Sequence, residues 1–171
     1  MIRKTSGLFS WRKGGFEMEL DRILVVDDEE SVRDVLHQGL TKFGYRVALA
    51  KTGEEALRTF KPGLFDIVIT DLKMPKMDGL DLIRMIRQKD PEAACFLITA
   101  YPTLQSAAET LSQGVHDYII KPFLLGDIHL RIYRVMEKKQ LEKSVRQMRK
   151  IIWGLVISIP IWIAMGGYLA K

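Results

Sequence analysis

Five short apolar runs, each followed by a segment of helical length, restrict this chain to a narrow set of folds. They are Arg22–Val26 (RILVV), Tyr45–Ala50, Phe65–Thr70, Ala94–Thr99 and Val115–Ile120. The segments between them repeat apolar residues at helical spacing. Val32, Val35, Leu36 and Leu40 share one face of a helix over Ser31–Phe43, which Gly44 ends. Thr52, with Glu55 three residues on, forms a capping box for a helix to Phe60, stopped by Lys61-Pro62-Gly63. A third helix over Gly79–Gln88 is expected to bury Leu80, Ile83 and Ile86, with Leu82 or Met85 at the edge. A fourth runs over Thr103–Leu111, and a last one starts from an N-cap at Asp127 with Ile128, Ile132 and Val135 inward. This alternation predicts an α/β fold, a doubly wound five-stranded parallel sheet with helices on both faces. Such sheets collect their chemistry at the carboxyl ends of the strands.

The chain of 171 residues is long enough for one domain with a proper core and too short for two. Its net charge of +5 is unevenly spread. Residues 21–136 are close to neutral, whereas 137–150 carry six basic side chains against Glu137 and Glu142. The basic excess is thus off the domain, which argues against a nucleic-acid-binding face. The single cysteine, Cys95, excludes a disulfide scaffold and reads as a buried thiol. His37, His116 and His129 have no ligand spacing and read as surface or packing residues. Residues 1–20 lack the apolar stretch of a secretory signal and read as a flexible basic leader, a weak membrane-surface arm being the alternative.

Residues 151–170, IIWGLVISIPIWIAMGGYLA, contain no charge. Twenty helical residues rise roughly 30 Å, the thickness of the bilayer hydrocarbon core. Trp153 and Tyr168 near its ends, and Lys143, Arg146, Arg149 and Lys150 before it, fit a transmembrane helix with the preceding domain on the cytoplasmic side. Pro160 in its middle is tolerated in membranes. A tail lying on the membrane surface and a hydrophobic docking peptide are the alternatives. Between domain and tail, residues 137–150 form a charged linker helix. Leu141, Val145, Met148 and Ile152 make a coiled-coil-like seam on it, either a homodimer contact or part of a single solvated connector.

The strand ends carry the chemistry. The first ends in Asp27-Asp28, with Glu29 and Glu30 behind; the third runs into Asp71, the fourth into Thr99-Ala100 and the fifth into Lys121-Pro122. Carboxylates gathered at one edge raise one another's pKa unless a cation is present. Hard oxygen ligands with open water positions suit Mg2+.

ILVVDDEE, VITDLKMPKMDG, LITAY and DYIIKPF, in this order and spacing, resemble the receiver domain of bacterial two-component response regulators over about residues 21–136. The resemblance implies a flavodoxin-like fold with strand order 2-1-3-4-5, an aspartate that accepts a phosphoryl group, and dependence on Mg2+. By this resemblance Asp71 is the phospho-acceptor, served by a phosphohistidine on a sensor histidine kinase or phosphotransfer protein. Asp28, Asp71 and the backbone carbonyl of Lys73 would hold the metal, with Asp27 acting through water. Lys121 would pair with the phosphoryl oxygens and Thr99 would bond them; Ala100 leaves access open. Tyr118 matches the aromatic switch position and Pro122 an often cis proline. Asp78-Gly79 opens the third helix, the glycine supplying freedom at the turn.

No DNA-binding or enzymatic effector signature fits the residues after 136. The sequence therefore predicts a receiver held at the bacterial cytoplasmic membrane that signals through altered protein contacts. A phosphoryl shuttle or sink, and an effectorless interaction module, are the alternatives.

Overall fold

The computed structural model describes residues 22–100 and 114–169, the side chains from 154 onward excepted. The expected leader and the expected helix over 103–111 lie outside the described residues. Five strands, β1 (Arg22–Val26), β2 (Arg46–Ala50), β3 (Ile67–Asp71), β4 (Ala94–Thr99) and β5 (Asp117–Ile120), alternate with α1 (Glu30–Lys42), α2 (Gly53–Thr59), α3 (Gly79–Lys89) and α4 (Leu125–Leu169). The strands form one parallel sheet in the order β2-β1-β3-β4-β5, as the alternation of apolar runs predicts. In register, Val26 lies beside Ala50 and Thr70, Asp71 beside Ile98, and Thr99 beside Ile120. β3 and β4 are buried throughout, and β2, at one edge, keeps polar and partly exposed residues.

Each helix is fixed by identifiable local chemistry. Thr52 accepts a hydrogen bond from the Glu55 backbone N–H, and Glu55 answers at the Lys51 N–H, one residue earlier than a standard capping box. Gly44, at φ 94°, takes the left-handed conformation that lets the chain leave α1. Asp78 caps α3 by accepting from the Asp81 N–H at 2.7 Å. The core of this face joins Leu24, Val26 and Val68 of the strands to Leu82, Ile83 and Ile86 of α3.

Three expectations need correction. Leu82 rather than Leu80 is fully buried, because Gly79 sits against the Asp71 carbonyl and sets the phase of α3 at positions 79, 82, 83 and 86. Val35 is exposed, because α1 turns Leu36, Gly39 and Leu40 inward. The last helix begins at Leu125, and Asp127 is already in its first turn, its N–H bonded to the Leu124 carbonyl. Leu125 is what starts the helix early. Its side chain fills the space over Gly39, where a Cβ would collide with it. Further along α4, Met136 is buried with Ile128 and Ile132, and Val135 only partly.

The chain divides into two compact units, Met1–Arg131 and Ile132–Lys171, the division falling inside α4. The helix runs unbroken to Leu169, consistent with the absence of a sequence stop before Ile152. Among the described residues no helix is long and apolar enough to cross a membrane. The side chains of most of the charge-free tail are outside that set.

Candidate functional site

Parallel strands bring residues far apart in sequence to one edge, and here the carboxyl edge gathers Asp27, Asp71, Thr99 and Lys121. Asp27, Asp71 and Thr99 are buried polar groups at 1%, 8% and 1% exposure, a costly arrangement unless they are paired. Lys121 supplies the pairing. Its Nζ lies 2.7 Å from Asp71 Oδ1, 3.1 Å from Asp27 Oδ2 and 3.6 Å from Glu29 Oε1. The backbone places it there, since the Lys121 N–H donates to the Thr99 carbonyl at 2.8 Å. The Lys121-Pro122 bond is cis, as the resemblance implies.

The second oxygen of each buried carboxylate is committed to backbone. Asp71 Oδ2 accepts from the Lys73 N–H at 2.7 Å, and Asp27 Oδ1 from the Glu29 N–H at 2.9 Å. Asp28, by contrast, is exposed at the mouth of the edge, as are Ala100 and Pro122. Tyr118 is half-buried and packs partly against the core. Gly79 is demanded by contact rather than by turn freedom, because a Cβ there would overlap the Asp71 carbonyl oxygen.

The electrostatics follow from this crowding. Burial pushes the Asp27 carboxyl above the usual carboxylate range, and the Glu29 N–H and Lys121 only partly offset it. Burial also works against the Lys121 charge, but the hydrogen bonds it donates to Asp71 and Asp27, and their negative charge, outweigh it and raise its pKa. Both directions hold together because one ammonium serves several carboxylates. It is itself firmly charged, while each carboxylate has only a share of it.

Two residues that the sequence reading did not single out belong to the site. Glu29 reaches Lys121, and Arg33, one turn into α1, donates from Nη1 to the carbonyls of Asp27 at 2.7 Å and Asp28 at 3.0 Å. α1 has no side-chain cap of its own at Glu29, and Arg33 joins the Asp27–Glu29 hydrogen bond in tying the loop that carries both aspartates. The helical offset from Asp28 to Arg33 was the available signal, but a backbone partner leaves no pattern in a sequence.

Among the described residues there is no cluster of three or more His, Cys, Asp or Glu side chains ready to hold a metal alone. A cation bound by one or two carboxylates, a carbonyl and several waters needs no such cluster. The exposed Asp28, the Asp71 carboxylate and the adjacent Lys73 backbone offer hard oxygen donors of that type.

The family profile described as the response regulator receiver domain matches residues 23–133. The chain belongs to this family. It is 32% identical over 144 residues to the regulatory protein AtoC of Escherichia coli (strain K12), covering 81% of this chain and 31% of AtoC. It is 37% identical over 118 residues to the probable transcriptional regulator ycf27 of Guillardia theta, covering 69% of this chain and 46% of that protein. The chain thus spans less than half the length of these curated relatives. The crystal structure of a response regulator receiver domain protein from Clostridium thermocellum superposes with a TM-score of 0.68 at 33% identity, over 71% of this chain and 98% of that one. Receiver domains of two-component response regulators accept phosphoryl groups, generally bind Mg2+ at the phosphorylation site, and interact with histidine kinases or phosphotransfer proteins. The five-stranded flavodoxin-like sheet of this receiver is the one the family uses.

Proposed function

We propose that this receiver takes a phosphoryl group from a phosphohistidine onto Asp71 and works while held at the bacterial cytoplasmic membrane, signalling through altered protein contacts. The observation that carries the first part is the 2.7 Å contact of Lys121 with Asp71 at the edge shared with Asp27. A carboxylate oxygen of Asp71 attacks phosphorus, the P–N bond breaks, and the imidazole nitrogen leaves with the electron pair. Positioning and charge are the protein's whole contribution to such a transfer. Mg2+ would be held by Asp28, Asp71 and the Lys73 carbonyl, with Asp27 through water, and would neutralise phosphoryl charge. Lys121 then pairs with a phosphoryl oxygen, offsetting part of the charge of about −2 that the modification adds. On this reading Thr99, buried at the end of β4, donates its hydroxyl to another, and Tyr118 follows it inward.

Small-molecule phosphodonor with Mg2+ should raise the intact mass of the chain by one phosphoryl group, and Asp71→Asn should abolish the change. An Asp71→Asn chain that is still modified would place the acceptor elsewhere. The membrane part rests on the charge-free run 151–170 behind a basic flank. The full chain should resist an alkaline wash of membranes while a chain ending at Lys150 is released. Release of both would end the tethering reading.

A further inference from the structure

From Glu137 to Trp153 every residue of α4 except Lys139 is exposed. A helix takes most of its stability from packing an apolar face, so a stretch this long with an exposed apolar stripe calls for a neighbour. The stripe is Leu141, Val145, Met148 and Ile152, 57–62% exposed, at spacings of 4, 3 and 4.

We propose that this stripe is a parallel, in-register two-stranded coiled coil between two copies of the chain. Heptad phasing puts Val145 and Ile152 at a and Leu141 and Met148 at d. β-Branched residues at a with Leu at d select parallel dimers, and Met is the unbranched substitute for Leu. The flanks agree. In a parallel pair Ser144 at g faces Arg149 at e of the second copy, so no like charges meet at that flank between Leu141 and Ile152. The repulsive pairs, Glu137 with Glu142 of the second copy and Lys138 and Arg134 at a and d each with its own counterpart, lie at the upstream end, and there the seam begins. In sequence the same register continues downstream to Leu155 and Ile159.

An antiparallel pair would set Glu142 against Arg149, an attraction, but it would send the two tails in opposite directions. Tails inserted into one membrane with one orientation leave only the parallel arrangement, and to that extent the pairing rests on the membrane-held reading. Under two heptads is a weak dimer in dilute solution. Confinement to a membrane supplies the effective concentration that it lacks.

The test is oxidative cross-linking of the full chain in its own membranes, with single cysteines introduced one at a time. Native Cys95 is buried and stays in place. Leu141→Cys and Met148→Cys should each form disulfide-linked dimers at least about fivefold more than Lys143→Cys and Gln147→Cys on the opposite face. Co-expressed Leu141→Cys and Ile152→Cys chains should give no excess of the mixed dimer. Uniform cross-linking, no cross-linking in chains that survive the alkaline wash, or an excess of the mixed dimer would each overturn the proposal. Release of the chain by that wash defeats the membrane reading separately, and the same cysteine pattern is then read on the released protein.

Discussion

Lys121 has the most to lose at the scale of single residues. It is the ammonium that Asp27, Glu29 and Asp71 share, so Lys121→Met should cost on the order of 2 kcal/mol in EDTA. On the proposed reading Mg2+ would bring a cation to Asp71 and, through water, Asp27, so melting in excess Mg2+ should show a smaller loss. Equal losses in both would mean that the metal and the ammonium do not share ligands. The raised Lys121 pKa means its contribution is complete below the unfolded value of 10.5 and fades as pH climbs past the folded one. Asp27 has the same sign of pH dependence, in a lower window. The unfolded chain releases that proton near 3.8 and the folded one holds it longer, so its ionisation lowers stability as pH rises through the window above 3.8. Asp27→Asn should therefore melt higher than the parent at pH 7 without metal, by roughly 2–4 °C, with the difference shrinking toward pH 4. A lower melting temperature at pH 7 would reverse that sign. Arg33 acts only through the backbone of the aspartate loop. Arg33→Met should weaken Mg2+ binding about tenfold by calorimetric titration, as loss of an orienting group around a metal site does. Arg33→Lys should recover part of it, and unchanged affinity in the Met variant would show that the loop holds itself.

Among the elements, α3 shows how closely the site depends on packing. Its first residue, Gly79, lies against the Asp71 carbonyl and Leu97. Gly79→Ala should cost about 2 kcal/mol or more and slow phosphorylation together, since relief of the overlap must move the strand end that carries Asp71. Normal phosphorylation in a destabilised Gly79→Ala chain would separate the two. This is also where sequence reading reached its limit. The strands were legible because burial on both faces leaves near-continuous apolar runs, and the Thr52 and Asp78 caps because capping needs particular side chains at fixed offsets. The phase of α3 and the start of α4 were not. Both are set by a glycine accepting a distant group, the Asp71 carbonyl at Gly79 and the Leu125 side chain at Gly39, and neither contact has a local signature. The site divides the same way. Asp27, Asp71, Thr99 and Lys121 could be placed together from strand ends alone, whereas Glu29 and Arg33 join through long side chains whose reach no spacing encodes.

For the whole molecule, the receiver site and the tail lie on separate compact units. A chain ending at Lys150 should therefore bind Mg2+ within about twofold of the full chain by the same titration, and a larger change would mean that the tail contributes to the site. The reach of Lys121 has a consequence for synthesis. Its partner Asp27 is 94 residues earlier, and the two meet only after β3 and β4 have been laid between β1 and β5. A nascent, nicked or half-unfolded copy has Asp71, the acceptor on the proposed reading, but not the ammonium beside it. On the proposed reading such copies would be poor phosphate acceptors, and the pool able to answer a signal would be restricted to chains whose last strand has arrived.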